Sequence, residues 1–298
     1  MAVLTRSALI ARGIIKAGRK GQSIDLNTEF DEITRNITAE YGIWIPLPRL
    51  GTVIANQSSM TMPSDFRSRD YFIMDTGAGG SPITMAWKDP LLYFRYIKTL
   101  TSAESNRPRV YTVQKNHGKL YFYPPADVTY SYELSYAAIH PKAGLTLAFT
   151  SGGTYEIKAG DTITGVTSTK PAIVDYVHVT SGAWSTGDAA GIFIISSPSG
   201  AFQAEVLKVG TNLDVANIGA TQVTADNFQH FLGEDFDDTI ILGLAWKCSE
   251  LISDLRERAP YWQAEYFRYL QASYDAFKTT TIIVRPNVWS RRWNRRVR

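Results

Sequence analysis

Four carboxylates of this chain stand close enough together to suggest acid–base chemistry. Glu234, Asp235, Asp237 and Asp238 come directly before a long apolar helix pattern. A glycosidase needs two carboxyl groups across a cleft, one of them with a raised pKa. Carboxylates at a helix start have a simpler role, because they cap free backbone N–H groups and lie at the positive end of the helix dipole. We therefore predict that these residues cap a helix and that the chain has no catalytic residue.

The other residue types that bind metals or act as nucleophiles are scattered along the chain. The four histidines are His117, His140, His178 and His230. None of them has a second ligand at metal-binding spacing. The single cysteine, Cys248, lies on an apolar helical stripe, which predicts a buried and unreactive thiol. The glycine-rich residues 76–81 lack the Lys-Ser/Thr ending of a phosphate-binding loop. The sequence therefore predicts no metal and no cofactor.

The last segment of the chain, residues 282–298, places tryptophans among arginines. These residues are Trp289, Arg291, Arg292, Trp293, Arg295 and Arg296. One interpretation is a solvated, frayed terminus. The other is a basic arm that orders against an acidic protein groove or nucleic acid, because Arg and Trp are enriched at interface centres and Arg neutralises phosphates. Two tryptophans are unusual in a purely solvated tail, so we predict a partner-binding arm.

Helical periodicity at both ends of the chain predicts the elements that position these residues. Two amphipathic patterns cover residues 5–17 and 26–41, and an apolar stripe runs through residues 236–255. Pro260 suits the first turn of a following helix, whose aromatic residues recur at helical spacing. The two N-terminal helices are too short to be stable alone, so they must pack on other elements. We predict a helical body of four main helices, built from both chain ends.

The middle of the chain changes to the two-fold alternation that is typical of strands. Within residues 52–138, the clearest strands are residues 109–115 and 119–123, joined by an Asn-His-Gly turn. Residues 92–100 fit either a strand or a short helix. Residues 145–222 are rich in Thr, Ser, Gly and β-branched residues and carry few charges. This composition predicts an inserted small antiparallel barrel or sandwich.

These patterns together predict an α+β fold in five segments. The segments are residues 1–50 (N-terminal helices), 51–142 (antiparallel β region), 143–225 (inserted β domain), 226–281 (C-terminal helical hairpin) and 282–298 (basic arm). The chain has 298 residues, of which 44% are hydrophobic and 20% charged, with a net charge of +3, so we expect a sizeable buried core. The chain contains no run of about 18 apolar residues, so we expect no membrane-spanning helix. Basic residues interrupt the N-terminal stretch, so we expect no secretory signal.

Several motifs, taken in order, resemble one family of viral proteins. The opening run Leu-Thr-Arg-Ser-Ala-Leu-Ile at residues 4–10 is followed by an acidic helix that ends near Trp44. Pro-Arg-Val-Tyr at residues 108–111 leads to alternating tyrosines at residues 130–136. A long helix and then an aromatic helix around Tyr-Phe-Arg at residues 266–268 follow. This series resembles the head-to-tail adaptors of short-tailed bacteriophages, also called packaged-DNA stabilisation proteins or tail tubular protein A, over residues 3–140 and 226–280.

The resemblance implies a structural virion protein and not an enzyme. Such adaptors form a twelve-fold homo-oligomeric ring beneath the portal protein, join the DNA-filled head to the tail and line the DNA exit channel. A downstream tail or nozzle protein would bind the β parts, and packaged double-stranded DNA would be contacted without sequence recognition. The expected location is the head–tail junction of the virion, after synthesis in the cytoplasm of the bacterial host.

The resemblance also implies roles for particular residues. The basic arm, with Trp289, Arg291, Arg292, Trp293, Arg295 and Arg296, would dock on the portal. A ring needs two different complementary faces on each subunit. The aromatic C-terminal helix and the basic N-terminal helix would supply them, through Trp262, Tyr266, Tyr269, Arg12 and Lys16.

Two alternative functions remain at this stage. A tail-associated cell-wall hydrolase would need Glu234 or a nearby carboxylate in an open cleft. A glycan-binding tail module would use Trp184, Tyr155 and Phe202 as a sugar platform on the inserted domain. Neither alternative explains why both chain ends are helical and basic.

Overall fold

The computed structural model describes residues 3–75, 82–98, 106–153 and 155–284. The helices are α1 (Arg6–Lys16), α2 (Asn27–Tyr41), α3 (Pro90–Lys98), α4 (Asp237–Leu251) and α5 (Ala259–Val284). The strands are β1 (Arg49–Val53), β2 (Ser59–Thr61), β3 (Phe66–Asp75), β4 (Ile83–Thr84), β5 (Ala86–Trp87), β6 (Val110–Gln114), β7 (Lys119–Tyr123), β8 (Tyr130–Ala138), β9 (Leu145–Gly152), β10 (Thr162–Gly165), β11 (Pro171–Ser181), β12 (Ala189–Ser196), β13 (Glu205–Val209) and β14 (Asn212–Val223). The described residues form two units: a helical unit, residues 3–43 and 226–284, and a β unit, residues 44–225.

Helix α4 is the central element of the helical unit and packs on α1, α2 and α5. A Cβ atom on Gly13 of α1 would lie 2.6 Å from the Cβ of Leu244, so only glycine lets α1 approach α4 this closely. The adjacent Gly243 lies against the Ile33 side chain of α2 and the Tyr266 ring of α5. Helix α4 is buried around most of its circumference, so it is a core helix and not an amphipathic surface helix.

The two ends of α4 differ from the sequence-based expectation. The helix ends at Leu251 and not near residue 255, because Ile252 has an extended backbone (φ −101°, ψ 119°) and the chain continues as a 3-10 helix, Ser253–Arg258. The N-cap residue of α4 is Phe236, which makes no side-chain capping hydrogen bond, and Glu234 and Asp235 lie in a preceding 3-10 turn. Asp237 and Asp238 lie in the first turn of α4, but the two oxygens of Asp237 bind residues outside the helix, so its predicted capping role is wrong.

The β unit contains two small sheets before the inserted module. One sheet has the strand order β1-β8-β3-β4 and the other the order β2-β7-β6-β5, with only β5 and β6 parallel among the described strands. The predicted hairpin is present as β6 and β7, and Gly118 closes its turn at a φ of 60°. Residues 90–98 form a helix, α3, anchored by the buried ring of Tyr93.

The inserted module is a closed antiparallel barrel with the strand order β10-β11-β12-β9-β14-β13. Its interior is filled by apolar side chains, including Phe149, Phe193 and Leu207, so the barrel encloses a packed core and not a channel. The prediction of a mixed α+β fold with an inserted antiparallel β barrel or sandwich is confirmed at this level.

Candidate functional site

Three exposed aromatic side chains on α5 form the strongest candidate for an interface. We call Tyr261, Phe267 and Tyr269 the α5 aromatic surface; their exposed fractions are 59, 44 and 40%. Tyr266 and Leu270 on the same helix are buried. Successive helical residues are rotated by about 100°, so Phe267 and Tyr269 lie about 160° apart, on either side of the buried stripe. The helix therefore presents aromatic side chains in two directions.

Helix α1 presents a second surface of different chemistry. The side chain of Thr5 caps the helix by accepting a hydrogen bond from the backbone N–H of Ala8 at 3.3 Å. Arg12 and Lys16 lie one turn apart and are exposed, with the half-exposed Ile15 between them. Positive charge near the C-terminal end of a helix also suits its dipole. The surface fits a partner that combines carboxylates with an apolar contact.

The structure changes the predicted set of interface residues on α5. Tyr269 is exposed, and Trp262 is half-buried with an indole N–H that has no hydrogen-bond partner among the described residues. Tyr266 is only 4% exposed, and its ring packs on Trp246 with centroids 5.7 Å apart. The prediction that Tyr266 packs between subunits is therefore wrong, because its own unit already buries it.

Sequence reasoning missed Tyr261 and Phe267, which the structure exposes. Both residues fall outside the three-to-four-residue spacing that marked the aromatic stripe. Large aromatics off the buried stripe of an amphipathic helix are the signal that would have found them.

The predicted arm begins later than residue 282, because residues 282–284 form the end of α5, and its remaining residues, 285–298, lie outside the described residues. This applies to Trp289, Arg291, Arg292, Trp293, Arg295 and Arg296. Its role in docking stays a prediction.

The β unit contains a cleft of about 430 Å³. One of its lining residues is Asp65, whose carboxylate accepts hydrogen bonds from the hydroxyl groups of Tyr176 at 2.8 Å and Tyr136 at 3.1 Å. Burial raises the pKa of Asp65, and the two tyrosine hydrogen bonds only partly oppose that rise. Burial and the nearby Asp65 charge raise the pKa values of Tyr136 and Tyr176 in turn.

An ion pair lines the same cleft. Arg49 of β1 donates to Glu156 at 2.8 Å, and both side chains are partly buried. The ring of Trp44 lies 5.8 Å from the rings of Tyr176 and His178, and burial lowers the pKa of His178. A raised carboxyl pKa is what acid catalysis needs, but here the carboxylates are engaged by protein partners. We infer that this network has a structural role, because it connects barrel strand β11 to β8 and to the turn before β3.

The helical unit has a buried histidine–aspartate pair. The Nε2 atom of His230 lies 2.7 Å from an oxygen of Asp237, whose other oxygen accepts from the backbone N–H of Leu4 at 3.1 Å. The backbone N–H of Leu232 donates to Nδ1 of His230, so Nε2 carries the proton of the neutral ring. Burial lowers the pKa of His230, although Asp237 opposes this effect. Both ring nitrogens are engaged, so the pair is structural. Sequence reasoning missed it because it assigned Asp237 to capping.

The structure also places the residues of the two alternative functions. Phe202 is 3% exposed and belongs to the barrel core, while the ring of Trp184 stacks on Phe149 with centroids 5.3 Å apart. The predicted sugar platform of Trp184, Tyr155 and Phe202 is therefore wrong, because Phe202 is not accessible. Glu234 is exposed on a 3-10 turn and does not line the 430 Å³ cleft.

Comparison with known proteins gives no family for this chain. No model of a protein family matches it, and no curated protein matches it significantly. Within the described part of the chain, no helix has both the length and the apolarity that crossing a membrane requires. Among the same residues, no group of three or more His, Cys, Asp or Glu side chains is placed to hold a metal ion.

Proposed function

We propose that this chain is a head-to-tail adaptor of a short-tailed bacteriophage. It forms a ring beneath the portal protein, joins the DNA-filled head to the tail and lines the DNA exit channel. The order of motifs over residues 3–140 and 226–280 supports this proposal. The structural observation that carries it is the α5 aromatic surface.

The α5 aromatic surface has the chemistry and the geometry of a ring interface. Aromatic side chains are enriched at the energetic centres of protein interfaces. A closed ring of identical subunits needs two different faces on each subunit, one for each neighbour. Phe267 and Tyr269 lie on different sides of α5, so each contacts a different neighbour.

The helical unit serves in this proposal as the ring-forming body built from both chain ends. Arg12 and Lys16 of α1 supply a basic surface. Asp235 and Asp238 are exposed near the start of α4 and supply opposite charge. Complementary charges on one subunit fix the register between neighbouring copies and speed their association.

The remaining contacts follow from the same proposal. The basic arm docks on the portal, and the β unit offers a platform to the downstream tail or nozzle protein. Packaged double-stranded DNA is contacted through phosphates without sequence recognition.

Ring formation tests the proposal directly. The full chain is mixed with the portal protein encoded by the same phage genome, and native mass spectrometry and electron microscopy give the mass and symmetry of the particle. The double variant Phe267→Ser, Tyr269→Ser should keep its fold but weaken ring formation by about tenfold or more, since an interface anchor contributes over about 1 kcal/mol. The matched control is Gln263→Ser, Gln271→Ser on the same helix. Rings that form equally well from both double variants would exclude this surface, and a chain that never assembles on the portal would exclude the adaptor function.

Portal docking is tested separately by shortening the chain. A chain that ends after Arg285 should fold normally but fail to bind the portal. Circular dichroism checks the fold, and co-sedimentation with the portal measures binding. If the shortened chain binds as well as the full chain, the arm has no docking role.

A further inference from the structure

A groove of about 500 Å³ in the β unit brings together an arginine, a lysine, a histidine and a tryptophan. It lies where β3 and β5 face the turn between β6 and β7. Arg69 comes from β3, Trp87 from β5, and Lys115 and His117 from the turn. Among the described residues that line this groove, none is acidic.

Arg69 and Lys115 are the arginine and the lysine among the residues that line the groove. Neither Arg69 nor Lys115 pairs with a carboxylate among the residues that the structure describes. Burial, followed by the nearby charge of Arg67, lowers the pKa of Lys115. An anion in the groove would relieve this repulsion between like charges.

Protein contacts already hold both cations in place. The guanidinium carbon of Arg69 lies 3.9 Å from the ring centre of Trp87, a cation–π contact. The ammonium group of Lys115 donates to the backbone carbonyl of Arg67 and keeps two further N–H donors. Side chains held in this way lose less conformational entropy when they bind a ligand.

We infer that this groove binds the phosphodiester backbone of DNA. An arginine fork matches phosphate geometry, and lysine supplies a second positive charge. The choice of DNA as the ligand rests on the proposed function, because a DNA exit channel must admit DNA. The groove is then the surface of the β unit that contacts the DNA.

The experiment measures binding of the full chain to a short labelled DNA duplex by fluorescence anisotropy over a series of salt concentrations. The variant Arg69→Gln, Lys115→Gln keeps much of each side-chain stem. It should bind about tenfold more weakly near ~0.1 M salt, with the log–log salt slope reduced by about 2, because each phosphate contact contributes about 0.9. The control Lys142→Gln, Lys170→Gln removes the same charge from exposed positions elsewhere in the β unit. It should bind as the unchanged chain does.

Three outcomes would overturn the inference. One is equal loss of affinity in the groove variant and the control, which would indicate net charge alone. Another is unchanged DNA binding by the groove variant. The third is tighter binding of a labelled poly-glutamate peptide than of DNA, which would indicate an acidic protein partner.

Assembly on the portal is measured in parallel. A groove variant that loses DNA binding but still forms rings separates this inference from the adaptor proposal. Thermal unfolding confirms that each variant is folded, and the single variant Lys115→Met repeats the test if the double variant is not.

Discussion

Each of the two units is tied together by a carboxylate that joins distant parts of the chain, but the partners differ. In the helical unit, Asp237 binds His230 and the backbone N–H of Leu4, which is 233 residues away. In the β unit, Asp65 binds two tyrosine hydroxyls, one of them 111 residues away. Histidine can take up a proton near neutral pH, whereas a tyrosine hydroxyl donates without gaining charge. The contributions of these two hydrogen-bond networks to the free energy of unfolding should therefore depend on pH in different ways.

The signs of these responses are opposite. The pKa of His230 in the fold lies below its usual 6.5, so the unfolded chain binds more protons and stability falls as pH drops through 6.5. The pKa of Asp65 in the fold lies above its usual 3.8, so the folded chain binds more protons. Its contribution to stability is present at low pH and is lost as pH rises from 3.8 through the raised pKa.

The largest effect should come from removing Asp237. The substitution Asp237→Ala leaves two donors, the neutral ring of His230 and the Leu4 N–H, without their acceptor. Because each hydrogen bond to a charged group contributes about 1.5–3 kcal/mol, we expect a loss of about 3–5 kcal/mol in the free energy of unfolding. Urea unfolding at pH 7.5, followed by circular dichroism, measures it. Asp238→Ala changes an exposed neighbour in the same helical turn and should cost less than about 1 kcal/mol. Equal effects of the two substitutions would show that the pair has no special role.

The hydrogen-bond network of Asp65 in the β unit should contribute less to stability, because burial destabilises the charged form of this carboxyl group. Asp65→Ala leaves the hydroxyl groups of Tyr136 and Tyr176 without their acceptor and should cost about 2–3 kcal/mol in urea unfolding. Asp65→Asn has the same shape and removes the charge. Its amide oxygen accepts from one tyrosine, and its NH2 group donates to the other, whose hydroxyl group can rotate to accept. It should therefore differ from the unchanged chain by less than about 1 kcal/mol. An asparagine variant as unstable as the alanine variant would show that the charge itself is needed.

The opposite pH responses give a smaller but more selective test. Unfolding free energies are measured between about pH 4 and 7.5 for the unchanged chain, Asp65→Asn and His230→Gln, whose side chains do not titrate in this range. Relative to the unchanged chain, Asp65→Asn should become more stable as pH rises, because it avoids ionising a buried acid. His230→Gln should lose its disadvantage as pH falls, because the unchanged chain must then charge a buried imidazole. If the unfolding free energies of all three proteins changed with pH in parallel, the claim that His230 and Asp65 have opposite pH responses would be wrong.

Features set by neighbours in sequence could be predicted, and contacts between distant segments could not. The β6–β7 hairpin follows from alternation around a turn that ends in Gly118, whose φ of 60° favours glycine. The closure of the barrel depends on pairing β10 with β13, far apart in the chain, and composition carries no signal for that register. The same holds for Asp65, because nothing in the sequence links it to Tyr136 or Tyr176.

The candidate interface shows a similar limit. Helical spacing on α5 identified an aromatic helix, but it gave Tyr266 and Tyr269 the same role. Only the packing of α4 shows that one ring is covered and the other is exposed. The same packing explains why Tyr261 and Phe267 were missed, since their importance comes from lying outside the buried stripe.

The smallest effect should come from the ion pair that accompanies Asp65. Arg49 and Glu156 are partly exposed, so solvent screens their attraction, and a double-mutant cycle with Arg49→Gln and Glu156→Gln should give a coupling energy of about 0.5–1 kcal/mol. The pair between Arg19 and Asp254 in the helical unit has a more exposed carboxylate and should couple more weakly. Urea unfolding at low and high salt measures both cycles, and salt should reduce each of them. A coupling in the β unit as large as the Asp65→Ala effect would mean that the ion pair, and not the buried carboxylate, holds the barrel to the sheet.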